Sequence, residues 1–167
     1  MTLGELNCNP LNIRRVEGTH WKGELPSIQG ATGVFRGATE CGYGPTKGSK
    51  SPLATEAKDG GGSFVRFETI EFGLRAAFVL LRTYSAKYHA NCIRDIISRW
   101  APPTENDTER YIQNVCLWTG LGGLQRLTED DWPRLVKAMA RQECGVILDE
   151  EQIQKGFALY QESKQIK

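Results

Sequence analysis

Apolar residues recur at the spacing of an α-helix over the C-terminal part of the chain, from residue 69 onward. In the longest run, positions 70, 74, 77, 78 and 81 are apolar and fall on one side of a helix. Several runs begin at a residue that caps helices, such as Thr69 or Asp149, and two end at glycine. The pattern predicts five helices, at residues 69–88, 91–100, 106–120, 128–145 and 149–164.

Residues 1–67 have a different pattern, because short apolar pieces alternate with glycine, proline, threonine and serine. Pieces such as LNIRRV and SFVRF are typical of brief strands or loops. Residues 41–63 lack periodicity and contain three consecutive glycines, which predicts a mobile surface loop; the glycine spacing does not match a phosphate-binding loop. A chain of 167 residues fits one core. We therefore predict one α+β domain, mainly α, over residues 1–167.

A carboxylate interrupts the apolar face of the fourth predicted helix. Trp132, Leu135, Val136 and Met139 define that face, and the next position on it is Glu143. Apolar neighbours disfavour the charged form of a carboxyl, and the negative end of the helix dipole also opposes ionisation. Glu143 is therefore a candidate general acid, able to protonate a glycosidic oxygen near neutral pH. The alternative is a helix-terminal glutamate turned to solvent or paired with an arginine of the same helix.

The charge balance argues against polyanionic partners. The chain has 21 basic and 20 acidic side chains and a formal net charge of +1, so binding to nucleic acid or to a membrane is not indicated. The first residues lack the basic and apolar regions of a signal peptide, and no apolar run approaches the length of a membrane span. We expect a protein that is synthesised in the cytoplasm without a signal peptide.

The five cysteines are widely separated and include no CxxC pair. We expect mostly reduced thiols, with one disulfide allowed, and neither a metal site nor a cofactor. A cysteine-histidine amidase would use one of these thiols with His20 or His89. No cysteine lies in a recognisable nucleophile context, which disfavours that enzyme class.

The stretch MARQECG, residues 139–145, resembles the sequence around the catalytic glutamate of lytic transglycosylases and goose-type lysozymes. Cys144 replaces the serine of their Arg-Gln-Glu-Ser-Gly-like sequence. Those families carry an NPxNIR-like piece, a tryptophan and an FxxF segment after the glutamate helix, whereas the matching NPLNIR, Trp21 and FVRFETIEFGLRA precede it here. The resemblance implies a lysozyme-like fold in circularly permuted order, with Glu143 at a cleft floor facing the NPLNIR segment.

A second resemblance covers residues 9–160 apart from the 41–63 stretch. The pieces NPLNIR, FxxFxxxExGLRA and IISRWAPPTENDTERYI, followed by LTEDDW and AMARQECG, are similar to a family of small phage and prophage proteins. Members of that family are generally described only as structural proteins, and phage particles often carry wall-degrading lysins. This resemblance implies a phage protein and leaves its activity open.

Glu105, in the loop before the third predicted helix, is the candidate for a second catalytic carboxylate. An inverting glycosidase needs such a group opposite the acid. Whether water attacks, as in a lysozyme, or the sugar 6-hydroxyl attacks, as in a transglycosylase, depends on that carboxylate. The alternative is a capping segment in which Thr104, Asn106 and Asp107 bond the amides at the helix start.

Five further side chains are candidates for binding the sugar. Amide and guanidinium groups bind hydroxyl and N-acetyl groups, and an aromatic face stacks on a pyranose ring. The candidates are Asn9, Asn12, Arg14, Trp21 and Tyr111. For Trp21 a place in the hydrophobic core is the alternative.

Together these patterns predict a peptidoglycan glycan-strand hydrolase of the lysozyme or lytic transglycosylase type, acting on glycan strands as a monomer. The alternative is a non-catalytic phage or secretion-system protein of lysozyme-like fold that binds the wall, and a host-directed regulatory protein is a third class. We expect action at the cell wall or periplasm, in association with a phage particle or after delivery by a secretion apparatus.

Overall fold

The computed structural model describes residues 7–14, 20–25, 64–104 and 106–165. Within them the protein is mainly helical, which confirms the predicted number and order of helices. The helices are α1 (Ile70–Tyr88), α2 (Ile93–Trp100), α3 (Thr108–Thr119), α4 (Trp132–Cys144) and α5 (Glu150–Gln165).

Most helix boundaries coincide with the capping residues of the sequence. The Thr69 side chain accepts from the third residue of α1, and Asp107 does the same for α3. Gly120 and Gly145 end α3 and α4 in the left-handed conformation, at φ 73° and 72°. These capping residues, together with the apolar spacing, explain why most helices lie close to their predicted positions.

The fourth helix begins later than predicted. Glu129–Asp131 form a 3-10 turn, and α4 starts only at Trp132. Pro133 has no N–H to donate to the Glu129 carbonyl, whereas the Trp132 N–H donates to that carbonyl across three residues. The proline therefore replaces the first α-helical turn with a tighter one.

Residues 64–68 lie between the two other N-terminal segments. The Val65 N–H donates to the Ile13 carbonyl at 2.9 Å, and the Leu25 N–H donates to the Arg66 carbonyl at 2.8 Å. Two isolated antiparallel bridges accompany these bonds, at Arg14–Phe64 and Glu24–Phe67. The brief strands predicted for this part are thus reduced, among the described residues, to two bridges. The predicted loop at 41–63 lies outside the described residues.

The core forms between α1 and α5 and around α4. Gly156 brings these two helices into close contact, since a Cβ there would lie 2.6 Å from the Leu74 Cβ. Next to this contact the rings of Phe78 and Phe157 meet edge to face, with centroids 5.0 Å apart. Helix α4 packs against α1, α3 and α5, which places its far end beside the N-terminal segments.

The N-terminal segment crosses α1 at Gly73, where a Cβ would clash with the Cys8 carbonyl oxygen. Cys8 is disulfide-bonded, and Cys92, Cys116 and Cys144 are free thiols. This pattern agrees with the expectation of mostly reduced cysteines and one allowed disulfide. The close crossing holds residues 9–14 against the helices.

Candidate functional site

Glu143 lies in the last turn of α4 and lines a cleft of about 740 Å³. Besides the end of α4, the described lining comes from residues 11–14, Trp21 and Phe64, from α1 around Tyr84, and from the end of α2 and the residues after it. Aromatic and apolar side chains make up much of the lining, and a few polar groups lie among them. This combination is typical of a ligand-binding cleft.

Two side chains from separate elements donate hydrogen bonds to the Glu143 carboxyl group. Asn12 Nδ2 lies 3.2 Å from Oε2 and also 3.3 Å from the Glu143 carbonyl oxygen. The Tyr111 hydroxyl lies 3.1 Å from Oε1, and the Trp100 side chain, which lines the same cleft, also favours the carboxylate. The carboxyl group is therefore held in one orientation at the cleft.

Burial raises the pKa of Glu143 above that of an ordinary glutamate, because the charged form loses hydration. The hydrogen bonds from Asn12, Tyr111 and Trp100 lower this pKa, and so does the positive charge of Arg14, since all of them favour the carboxylate. Burial is the larger effect, and the net direction is upward. Glu143 thus keeps its proton at a pH at which an exposed glutamate has lost it.

Asn12 reaches Glu143 because of an unusual backbone turn. Its φ of 52° lies in the left-handed region, which asparagine tolerates better than most residues. The Asn12 N–H donates to the Asn9 carbonyl at 3.0 Å, which closes the turn. The contact with Glu143 joins positions 131 residues apart, so the NPLNIR segment and the end of the glutamate helix meet in the structure.

Asn9 builds this segment and does not line the cleft. It is fully buried, and its side-chain nitrogen donates to the carbonyls of Ile13, at 2.9 Å, and Val65, at 2.8 Å. Its side-chain oxygen accepts from the Ile13 N–H at 2.8 Å. All of these partners are backbone groups, so Asn9 stabilises the local chain path, and its role in sugar binding stays a prediction.

Tyr111 lies behind Glu143, with only 4% of the residue exposed. Burial raises the pKa of Tyr111 well above its ordinary value, and the negative charge of Glu143 raises it further. The phenol therefore stays neutral and acts as a hydrogen-bond donor. The structure thus places Tyr111 in contact with the Glu143 carboxyl group, and the sugar contact predicted for Tyr111 stays a prediction.

Arg14 and Trp21 line the cleft on the side of the N-terminal segments. The Arg14 guanidinium lies over the Phe64 ring, 5.5 Å from its centroid. Trp21 is half-buried and packs against the core while also lining the cleft, and its stacking on a sugar stays a prediction.

Glu105 lies outside the described residues. Its neighbour Asn106 lines the cleft, and its side-chain nitrogen donates to the Pro102 carbonyl at 3.4 Å. Among the described residues that line the cleft, Glu143 is the only carboxylic acid. The second carboxylate therefore stays a prediction.

Sequence reasoning missed two aromatic residues of the cleft, Tyr84 and Trp100. Both follow the apolar spacing of their helices, and both pack against the core from half-buried positions. Trp100 is the last residue of α2, directly before a buried alanine and two prolines. A tryptophan at the end of a helix, followed shortly by two prolines, is the sequence feature that could have indicated the cleft.

A metal site and a cysteine-histidine catalytic pair receive no support from the part of the chain that the structure describes. Across the described ranges, no group of three metal-ligating side chains is close enough together to hold an ion. His20 and His89, the two histidines that such a pair would need, are both exposed, and His89 caps the end of α1.

No helix among the described residues is both long and apolar enough to cross a membrane.

No protein-family model matches the chain. The chain is 35% identical over 159 residues to Protein P5 of Pseudoalteromonas phage PM2, and the match spans 92% of this chain and 79% of the phage protein. The expected relation to phage proteins is thereby confirmed.

Proposed function

The chain belongs to the family of Protein P5 of Pseudoalteromonas phage PM2, and from this premise we propose that it cleaves the glycan strands of peptidoglycan, with Glu143 as the general acid. The observation that carries the proposal is a half-buried carboxyl with a raised pKa that lines an aromatic cleft. A general acid needs to be protonated at working pH and within reach of its substrate. The upward direction of its pKa and its place in the cleft lining support Glu143 in this role.

In the proposed reaction Glu143 gives its proton to the β-1,4 glycosidic oxygen while the bond from that oxygen to the sugar C1 breaks. The bonding electrons stay on the leaving oxygen, and C1 becomes electron-poor. The oxygen of water, or the 6-hydroxyl of the same sugar, then bonds to C1 and passes its proton to the Glu143 carboxylate, which restores the acid. Asn12 and Tyr111 hold the carboxyl group during these steps.

The proposed fold is that of a lysozyme-like glycosidase with a permuted chain. The meeting of Asn12 and Glu143 supports it, because the order of the sequence pieces required the N-terminal segment to face the glutamate helix. We propose that the protein acts as a monomer at the cell wall or periplasm and reaches it with a phage particle or through a secretion apparatus. Neither a metal nor a cofactor is part of the proposed chemistry.

The direct test compares wild type with Glu143→Gln on purified peptidoglycan. We expect wild type to release soluble muropeptides and Glu143→Gln to release them at least about 100-fold more slowly, since general acids contribute rate factors of that order. Glu151→Gln is the matched control, because Glu151 is exposed and paired with Lys155 on α5. It should retain full activity.

Each outcome of this test has a separate meaning. If wild type releases no product from any wall preparation, the enzymatic proposal is wrong and a non-catalytic wall-binding protein is favoured. If Glu143→Gln stays fully active, the assignment of the acid is wrong. Mass spectrometry of the products separates hydrolysis from transglycosylation, because a transglycosylase product lacks one water.

A further inference from the structure

A strip of aromatic rings leads out of the cleft along α1. Trp100 lies beside Glu143, and its ring centroid is 6.0 Å from that of Tyr84. Tyr84 in turn lies 6.3 Å from Tyr88, one helical turn further on. Trp100 and Tyr84 line the cleft, whereas Tyr88 lies beyond it with 39% of its surface exposed. The strip therefore joins the acid to an open surface.

A cation covers the outer end of the strip. The guanidinium carbon of Arg99 lies 3.6 Å from the centroid of the Tyr88 ring, a close stacking contact. Arg99 is exposed, and among the described residues no carboxylate is within ion-pair distance of it. A guanidinium fixed by stacking keeps N–H donors at its edge, which suits a carboxylate.

We propose that Tyr88 and Arg99 form an outer subsite that holds a sugar together with the carboxylate of its peptide stem. This inference rests on the proposed function. Two observations point to one occupant: the strip continues the cleft that would hold the cleaved bond, and Arg99 adds a positive charge at the place where the strand leaves the cleft. Uncharged glycan would meet the same rings without using Arg99.

Binding of the full chain to two wall preparations tests this subsite. All proteins carry Glu143→Gln, and the preparations are insoluble peptidoglycan with its stems and the same glycan stripped of stems by an amidase. Arg99→Met should weaken co-sedimentation with stem-bearing peptidoglycan about tenfold, the loss typical of one charge-assisted hydrogen bond. Binding to the stripped glycan should not change.

Arg141→Met is the matched control, because the Arg141 guanidinium also stacks on an aromatic ring, 4.1 Å from the Trp118 centroid, and neither residue lines the cleft. This variant should bind both preparations normally. Tyr88→Ala should weaken both, since the ring supports the sugar.

The inference is overturned if Arg99→Met lowers both affinities equally or neither. It is also overturned if the Glu143→Gln protein binds neither preparation. Turnover by wild type is measured separately, so loss of the enzymatic proposal is recognised by the absence of product, independently of the ratio of the two affinities.

Discussion

Single side chains around Glu143 set how strongly it holds its proton. Burial and hydrogen bonding act in opposite directions on its pKa, and burial has the larger effect. Tyr111 and Asn12 thus stabilise the carboxylate while they fix its position. Removing one of these donors removes an interaction that lowers the pKa of Glu143, so this pKa rises further.

Tyr111→Phe tests this balance. A general acid works while protonated, so activity falls as the pH rises through the pKa of Glu143. Loss of the Tyr111 hydroxyl removes an interaction that lowers that pKa, and we expect the alkaline limb of the pH-activity profile to move to higher pH. The measurement is the initial rate of muropeptide release across a pH series.

Tyr160→Phe is the control for that series. Its hydroxyl donates to Glu129 at 3.0 Å, so it is a second tyrosine-glutamate pair, remote from the cleft lining. The profile of this variant should coincide with that of wild type. An unchanged or acid-shifted limb in Tyr111→Phe would contradict the assignment of Glu143 as the titrating acid.

At the scale of elements, local rules explain most of the helices. The caps at Thr69 and Asp107 and the glycines after α3 and α4 are readable from the sequence. The apolar spacing on α4 also identified Glu143 as a carboxyl near the core. The start of α4 was misplaced because Pro133 changes hydrogen bonding in a way that periodicity does not register.

Substitution of Gly145 tests whether activity depends on the exact position of the end of α4. Gly145 and Gly120 are both left-handed helix ends with no heavy atom near an added Cβ, so alanine costs only backbone strain, about 1 kcal/mol. We expect Gly145→Ala and Gly120→Ala to lose similar stability in urea denaturation. Only Gly145→Ala should lose activity, because Glu143 lies two residues before it. Equal activity of the two variants would argue against a need for exact placement of this helix end.

At the scale of the whole molecule, the candidate site depends on contacts between distant parts of the chain. The sequence placed Asn12 and Glu143 opposite each other only through the resemblance, because no periodicity relates positions 131 residues apart. For the same reason it assigned sugar contacts to Asn9 and Tyr111, which the structure buries. Side chains that contact a cleft and those that support it have the same residue types, so composition alone does not separate them.

Gly73→Ala tests the docking of the N-terminal segment as a unit. The added methyl group would meet the Cys8 carbonyl, and since backbone cannot move aside easily we expect a loss of about 1–3 kcal/mol in stability. Activity should fall because Asn12 is displaced, while the helical circular dichroism stays unchanged.

Gly122→Ala is the comparison for that variant, since its added Cβ would meet only atoms of Gln125, the nearest at an ordinary 3.5 Å. It should behave as wild type in both measurements. Full activity of a stably folded Gly73→Ala would contradict the expectation that activity requires close contact between the N-terminal segment and α1.

The docking of the N-terminal segment, which crosses α1 at Gly73, also depends on pH. Leu11, Asn12 and Ile13 share the cleft with Glu143, so undocking them hydrates the carboxyl and brings its pKa back toward the ordinary value. Above that value the undocked form releases the proton that the docked form retains. Acidity therefore favours the docked form. In a chain whose N-terminal segment is undocked, the pKa of Glu143 is ordinary, and the carboxyl ionises at a pH at which the docked form still holds its proton.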